Sequence, residues 1–536
     1  MKRIFGLLTL TLALSCQSII DMDKANSELK IEGPKFSILF SHSISGETHP
    51  CGCRQFPLGG LPQVAGFMHE LKKEKQFLYV DTGDMLFPSS IVPTHIAKSQ
   101  MQAAKDVAKG LDKLGLKYTL PGDQDLAAGV GFYKEVLSEV SFTPLVSNLS
   151  DEKKKDFPHQ EFTKIVFGKK TVYLTGIVEP STIQGPLQGY FKRPEASFPE
   201  TLKKLKEAGY DEKNPLTQLV VMSHAGLDYD KGFAKKFPMI DWIIGSHSQS
   251  FTNYSIDVGD TQIVQVLSKN HYIGEIAISS GKEKLEKEFS YHEMREQLGE
   301  KIPNNPFTAY INESKKKLDQ IRDEEQKMMY SGGNEIKKIP DAKSCLECHE
   351  AQGEHWAKTP HSVSFATLMI AGEENKTSCM KCHSVGMNEE GGYINHNDIV
   401  HFKDLKTTDK GFSGHKNKYW QDVSKAFKDV KSIRKLSDKK VSALRVEWDK
   451  LDEKHKVEHS YANVQCLNCH EVVTDHPFAI ENDEQKLAHT KASIKNKCLE
   501  CHTSDQSPEW YKKDRDGVYS GVDEDYFEKM YKKMVH

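Results

Sequence analysis

The chain has 536 residues, 38% hydrophobic and 28% charged, enough apolar material for two or three cored domains, which excludes a disordered chain or one small module. Lys+Arg 73 against Asp+Glu 76 leave a net charge of −3, so the composition gives no electrostatic ground for a nucleic-acid partner. Eleven cysteines are too few for a disulfide-dense scaffold, and eight of them fall after residue 340.

Residues 1–15 run from Lys2 and Arg3 through an apolar stretch, Ile4 to Leu14, to Ser15, the layout of an export signal. The stretch is too short to span a bilayer. Cys16 follows directly and resembles the lipidated cysteine of bacterial lipoproteins, although Ala13 and Leu14 depart from the usual residues before it. The resemblance implies an exported protein anchored to a membrane at its periplasmic or outer-surface face; the alternative is an unmodified Cys16 behind an ordinary signal. Residues 16–35 read as a polar tether.

From 36 to 290, β-rich runs recur at Phe36 to Ser41, Phe77 to Asp81, Thr171 to Ile177, Gln218 to Ser223 and Ile240 to Gly245. Met101, Ala104, Ala108, Leu111 and Leu114 have helical spacing over 98–116. The pattern predicts a layered α/β domain with polar residues at strand ends as the functional candidates.

Four segments punctuate this domain: Asp81-Thr-Gly-Asp84, Pro121-Gly-Asp123-Gln124-Asp125, Ser223-His224 and Gly245-Ser-His247-Ser-Gln249. In that order they resemble the calcineurin-like metallophosphoesterases, in particular the 5′-nucleotidase branch, over about 250 residues. The resemblance implies an α/β four-layer sandwich with metal at the strand ends. Asp84, Asp123, His224 and His247 match the ligands of the family's second metal, with Asp123 in place of Asn. Ser43, Ser45 and Gln249 stand where ligands of the first metal belong, and Gln124 replaces the catalytic histidine. Two carboxylates and two imidazoles suit one Zn²⁺, Mn²⁺ or Fe²⁺. An amide cannot act as a general acid, and one metal cannot clamp both reacting oxygens, so efficient phosphate ester hydrolysis is not expected. The alternative is an empty relic pocket.

His49-Pro-Cys51-Gly-Cys53 follows the degenerate first motif and resembles a segment of metallophosphoesterase-like proteins that are paired with cytochromes. Cys51 and Cys53 are either soft metal ligands, a redox-active disulfide, or inert. Strand alternation points His42 away from the pocket.

Residues 291–340 read as a connector: Pro303 and Pro306, then a charged helical stretch from Phe307 to Met329, expected to be solvated, then Ser331-Gly-Gly. The nucleotide-binding domain that follows in 5′-nucleotidases is missing from the sequence.

Residues 341–536 carry four Cys-x-x-Cys-His motifs: Cys345/Cys348/His349, Cys379/Cys382/His383, Cys466/Cys469/His470 and Cys498/Cys501/His502. Two thiols at this spacing close thioethers on one porphyrin while the next residue reaches its iron, so the pattern predicts four c-type haems. Distal iron ligands are sought among the remaining histidines, first His361 and His476, then His355 and His396. Trp356 to Leu368 and Pro508-Glu-Trp510 resemble the tetrahaem cytochrome c family that includes electron carriers of ammonia-oxidising bacteria. That resemblance implies a mostly α-helical multihaem domain in which haems replace a conventional apolar core, with a long helix over Gln421 to Lys456. The expectation is a multihaem electron-transfer protein served by redox proteins or quinone-linked donors. A metal-dependent phosphohydrolase and a silent binding adaptor are the competing readings.

Overall fold

The computed structural model describes residues 26–33, 35–49, 57–278, 289–329, 339–389, 391–470, 491–513 and 519–534. The export signal, Cys16, Cys51, Cys53 and His476 lie outside the described residues.

Among the described residues thirteen strands build the front half: β1 (Asn26–Ile31), β2 (Phe36–Ser41), β3 (Gln76–Asp81), β4 (Leu116–Thr119), β5 (Thr143–Pro144), β6 (Phe162–Phe167), β7 (Lys170–Val178), β8 (Thr217–His224), β9 (Trp242–Ile244), β10 (Ile256–Val258), β11 (Thr261–Val264), β12 (Tyr272–Ile278) and β13 (Phe289–Glu293). They form a seven-stranded sheet, β1-β6-β7-β8-β9-β11-β10, and a six-stranded sheet, β13-β12-β2-β3-β4-β5. Strand alternation sorts their side chains into layers. On β8, Val220 and Met222 face the core between the sheets, while Leu219 and Val221 face Phe198, Phe233 and Phe237 of the helices Pro194–Glu207 and Leu227–Lys236. Leu61–Leu71 and Ala97–Leu114 join the core of the six-stranded sheet. The result is the helix-sheet-sheet-helix sandwich expected from the sequence.

Two boundaries and the burial of one helix differ from the sequence reading. Asn26–Ile31, assigned to the tether, pairs in parallel with β6, because Leu29 and Ile31 have core to cover and the Ser27 Oγ meets the Tyr118 hydroxyl at 2.8 Å. Phe289–Glu293 extends the six-stranded sheet past residue 290. The helix Pro306–Met329 is anchored rather than solvated: Phe307 and Ile311 enter the core, and the Tyr310 hydroxyl donates to the Asp106 carbonyl at 2.7 Å.

Among its described residues the C-terminal half is mostly short helices with two small antiparallel ladders. It has its own apolar core, including Phe412, Tyr419, Val441 and Trp448, beside any prosthetic group rather than replaced by one. The expected long helix is two, Phe412–Ala426 and Asp438–Lys454, because Phe427, Val430 and Ile433 turn inward between them. Among the described residues no helix is long and apolar enough to cross a membrane.

Candidate functional site

The front site lies where β2, β3, β8 and β9 end. The Ser41↔Asp81 pairing aligns the ends of β2 and β3 in one sheet, and His224 ends β8 in the other. The Ser246 hydroxyl joins them, reaching the carbonyls of Thr82 at 2.6 Å and Ser223 at 2.8 Å. Asp84, Asp123, His224 and His247 converge here, with one potential ligand atom from each within 4.8 Å of all the others. His224 Nε2 lies 3.5 Å from Asp84 Oδ2 and 3.4 Å from Asp123 Oδ1, and His247 Nδ1 lies 3.3 Å from Asp123 Oδ1.

The surroundings fix this arrangement. His224 Nδ1 sits 2.9 Å from the Thr82 carbonyl, to which it donates, which leaves the lone pair on Nε2 for a metal. Gly122 is obligatory, since a Cβ there would stand 2.1 Å from Asp84 Oδ1. Asp125 Oδ2 accepts from the amides of Asp84 (2.7 Å) and Gly122 (2.9 Å), and Oδ1 from those of Met85 and Leu86 (2.9 Å each). Burial pushes the Asp125 carboxyl up to about 7, with Asp84 adding to the shift. Sequence reasoning gave Asp125 no role; its place two residues after Asp123 in a Gly-Asp-Gln-Asp turn was the available signal.

Burial works against charging His224, yet Asp84, Asp123 and the Thr82 carbonyl outweigh it and raise its pKa to about 9. Burial likewise opposes ionisation of Asp123, but His224 and His247 hold its carboxyl well below the usual range. This donor set, two carboxylates and two imidazoles, fits one divalent cation, which would take the place of the proton that the two carboxylates otherwise favour on His224. It would act as a Lewis acid toward a bound oxygen ligand when present.

The degenerate half of the site keeps its backbone. Ser43, Ser45 and Gln249 have φ of 47°, 56° and 49°, in the left-handed region with Asp84 at 63° and His247 at 68°. Non-glycine residues seldom adopt that conformation, and such strain clusters at functional sites. The Ser45 hydroxyl donates to Gln124 Oε1 at 3.1 Å, so two replaced residues close on each other. His42 is buried beside the pocket, bonded to the Val266 carbonyl and at 3.0 Å to the Ser43 hydroxyl; burial lowers its pKa to about 4.

In the C-terminal half, one helical turn places the first cysteine and the histidine of three motifs together: the amides of His349, His470 and His502 bond the carbonyls of Cys345, Cys466 and Cys498 at 3.0, 2.9 and 2.9 Å, and the remaining motif lies within the helix Thr377–His383. All eight motif cysteines and all four motif histidines line one cavity of about 1860 Å³. The Cys345 thiol is hydrogen-bonded to Cys466 and that of Cys382 to Cys501, which draws Cys345 and Cys382 down to about 7. First and third motifs are thereby neighbours, as are second and fourth.

His383 Nδ1 donates to the Ser364 carbonyl at 2.8 Å, and His502 Nδ1 lies 2.8 Å from the Ser507 hydroxyl with the ring stacked 4.2 Å from Trp510. Burial lowers their pKa values to about 4 and about 3, keeping the neutral imidazole that iron requires. A large cavity walled by paired thiols and neutral imidazoles fits covalent haem.

Of the distal candidates, His361 lines the cavity, half-buried, with its ring 6.2 Å from that of His502. His355 also lines it, but its Nε2 donates to the Lys533 carbonyl at 3.0 Å. The structure places His396 elsewhere, its Nε2 2.9 Å from Asp323 Oδ1, because the connector helix brings a carboxylate to it.

Fold and site together define a metallophosphoesterase-like α/β domain joined to a cytochrome c-like region. Residues 344–407 match the family model described as cytochrome c554 and c-prime, which takes in the first two Cys-x-x-Cys-His motifs. An apyrase of Aedes albopictus is 26% identical over 215 residues; the match covers 38% of this chain and only 36% of the apyrase. Similar solved structures include a 5′-nucleotidase precursor of Thermus thermophilus (18% identity, TM-score 0.43, 53% of this chain and 59% of that one). The sulfate thiohydrolase SoxB of the same organism, in complex with glycerol, is another (15% identity, TM-score 0.44, 53% and 61%).

Proposed function

We propose that this chain is an exported electron-transfer protein, with four covalent c-type haems in residues 341–536 and a front domain that binds one divalent cation. The observation that carries the reading is the single cavity lined by the cysteines and histidines of all four motifs. Haems sharing one cavity stand close enough to pass electrons among themselves, with the protein setting potentials through axial ligand and burial. His361, beside His383 and His502, is the first choice for a distal ligand. Redox proteins or quinone-linked donors supply the electrons, and a lipid on Cys16 holds the protein at a periplasmic or outer-surface membrane face. A chain matured in a host competent for haem attachment then gives a six-coordinate haem spectrum that is reduced by dithionite and restored by ferricyanide. An unchanged spectrum contradicts the reading.

The ligand cluster at Asp84 favours a second reading, a metal-dependent phosphohydrolase. Against it stand the Ser45 to Gln124 bond, where a general acid and a first metal would act, and the absent ligands at Ser43 and Gln249. Turnover of nucleoside monophosphates with Mn²⁺ or Zn²⁺ that is lost in His224→Ala would support the hydrolase; no turnover supports electron transfer alone.

A further inference from the structure

The degenerate first motif has a position that its lost ligands do not explain. The cavity shared by the cysteine motifs is also walled by Ser45, Gly46, Glu47, Thr48 and His49 of the front domain. These residues are strapped to the metal cluster. The Ser45 amide donates to the Asp84 carbonyl and the Gly46 amide to the Met85 carbonyl, both at 2.9 Å. The Ser45 hydroxyl donates to the side-chain oxygen of Gln124, whose backbone amide donates to Asp84 Oδ1 at 3.0 Å. Two hydrogen bonds thus join the cavity wall to a metal-ligand carboxylate.

The same loop meets the second and fourth motifs. His49 Nε2 pairs with Glu373 Oε1 at 2.5 Å, and Glu47 acts electrostatically on Lys376, three residues before Cys379. Lys269, whose amide bonds the Ser43 carbonyl at 2.9 Å, places its ammonium 2.6 Å from Asp505, three residues beyond His502. The C-terminal region is therefore held against this face by a His49–Glu373 hydrogen bond and a Lys269–Asp505 ion pair, both half-buried, beside the second and fourth motifs, and the thiols of Cys382 and Cys501 meet behind it.

We propose that the Ser43 to His49 loop is an electron-transfer contact, joining one iron ion held by Asp84, Asp123, His224 and His247 to the haems of the second and fourth motifs. One ligand set survives where the general acid and the other metal's ligands are replaced, and the loop beside it walls the cysteine cavity, a setting that suits one-electron use of the metal. Zinc has no accessible second oxidation state, whereas iron takes carboxylate and imidazole ligands in both of its common ones. The step balances simply: ferrous ion in the front site gives one electron to a ferric haem and becomes ferric, no bond or proton being exchanged. The inference rests on the four-haem reading above.

The test is coulometric reduction of the full haem-loaded chain, with the front site stripped by chelator or loaded with one equivalent of Fe²⁺ and reoxidised. The iron-loaded chain takes up one electron more than its haem number, and a high-spin ferric resonance disappears as the haems are reduced. His224→Ala and zinc-loaded protein take up only the haem number. Lys269→Glu, which sets a carboxylate against Asp505, keeps the extra electron but slows equilibration after flash reduction. Equal uptake by stripped and iron-loaded protein, or a site that takes zinc and rejects iron, overturns the inference and leaves the four-haem reading standing; a low haem number defeats that reading instead.

Discussion

Asp125→Asn isolates the framework of the front site from its ligands. The carboxylate is fully buried and accepts four backbone amides, two on each oxygen. Asparagine keeps one acceptor oxygen and turns an NH₂ toward the other two amides. Two buried N–H groups without an acceptor, at about 1–3 kcal/mol each, put the loss of front-domain stability at about 2–6 kcal/mol. The amide of Asp84 is one of the four, and Asp84 holds a φ of 63°, so the change also releases a metal ligand from its strained setting. Loss of an outer-sphere partner of this kind weakens metal binding about 10–100-fold. Thermal unfolding and calorimetric Mn²⁺ titration of the full haem-loaded chain read both quantities, with haem content as the control that should not move. Stability within about 0.5 kcal/mol of the native chain, together with unchanged Mn²⁺ affinity, refutes the framework role.

Restoring the absent ligands as Ser43→Asp, Ser45→His and Gln249→His yields a chain that binds two Mn²⁺ where the native one binds one, because the left-handed backbone at all three positions is already in place; equilibrium dialysis gives the stoichiometry. Gly122→Ala drives a methyl into Asp84 Oδ1 and abolishes calorimetric metal binding while haem content is retained. Burial opposes ionisation of Glu275, but His292 at 2.8 Å, Lys75 at 2.5 Å and Ser37 at 2.6 Å prevail and pull its pKa to about 2. The folded value lies below the unfolded one of 4.5, so this stabilisation is present above about pH 4.5 and lost as pH falls toward 2, worth about 2 kcal/mol after solvent screening. Glu275→Gln therefore lowers the melting temperature at pH 7 and narrows the gap to the native chain near pH 3.

Strand ends and metal ligands were legible because their chemistry is local: one apolar run stops at Asp81, three residues before the ligand Asp84, and another stops at the ligand His224 itself. The meeting of Asp84, Asp123, His224 and His247 across two sheets follows from the ordered motifs. Other features depend on partners far away in sequence. Asn26–Ile31 is polar enough to read as tether until β6 supplies its ladder, and Tyr310 reads as solvated until Asp106 packs against it. His396 looks like any spare ligand histidine until Asp323 arrives on another helix. The contact of Ser45 and His49 with the cysteine cavity has no signature in either segment alone, since it arises from the docking of one half on the other.

Covalent haem is read by the mass of the denatured chain after maturation in a haem-competent host, paired with a pyridine haemochrome assay. Four haems per chain are expected, each surviving denaturation because two thioethers hold it, with loss of one haem when Cys379 and Cys382 are both replaced by alanine. A chain that carries no covalent haem, or fewer than four, contradicts the four-haem reading.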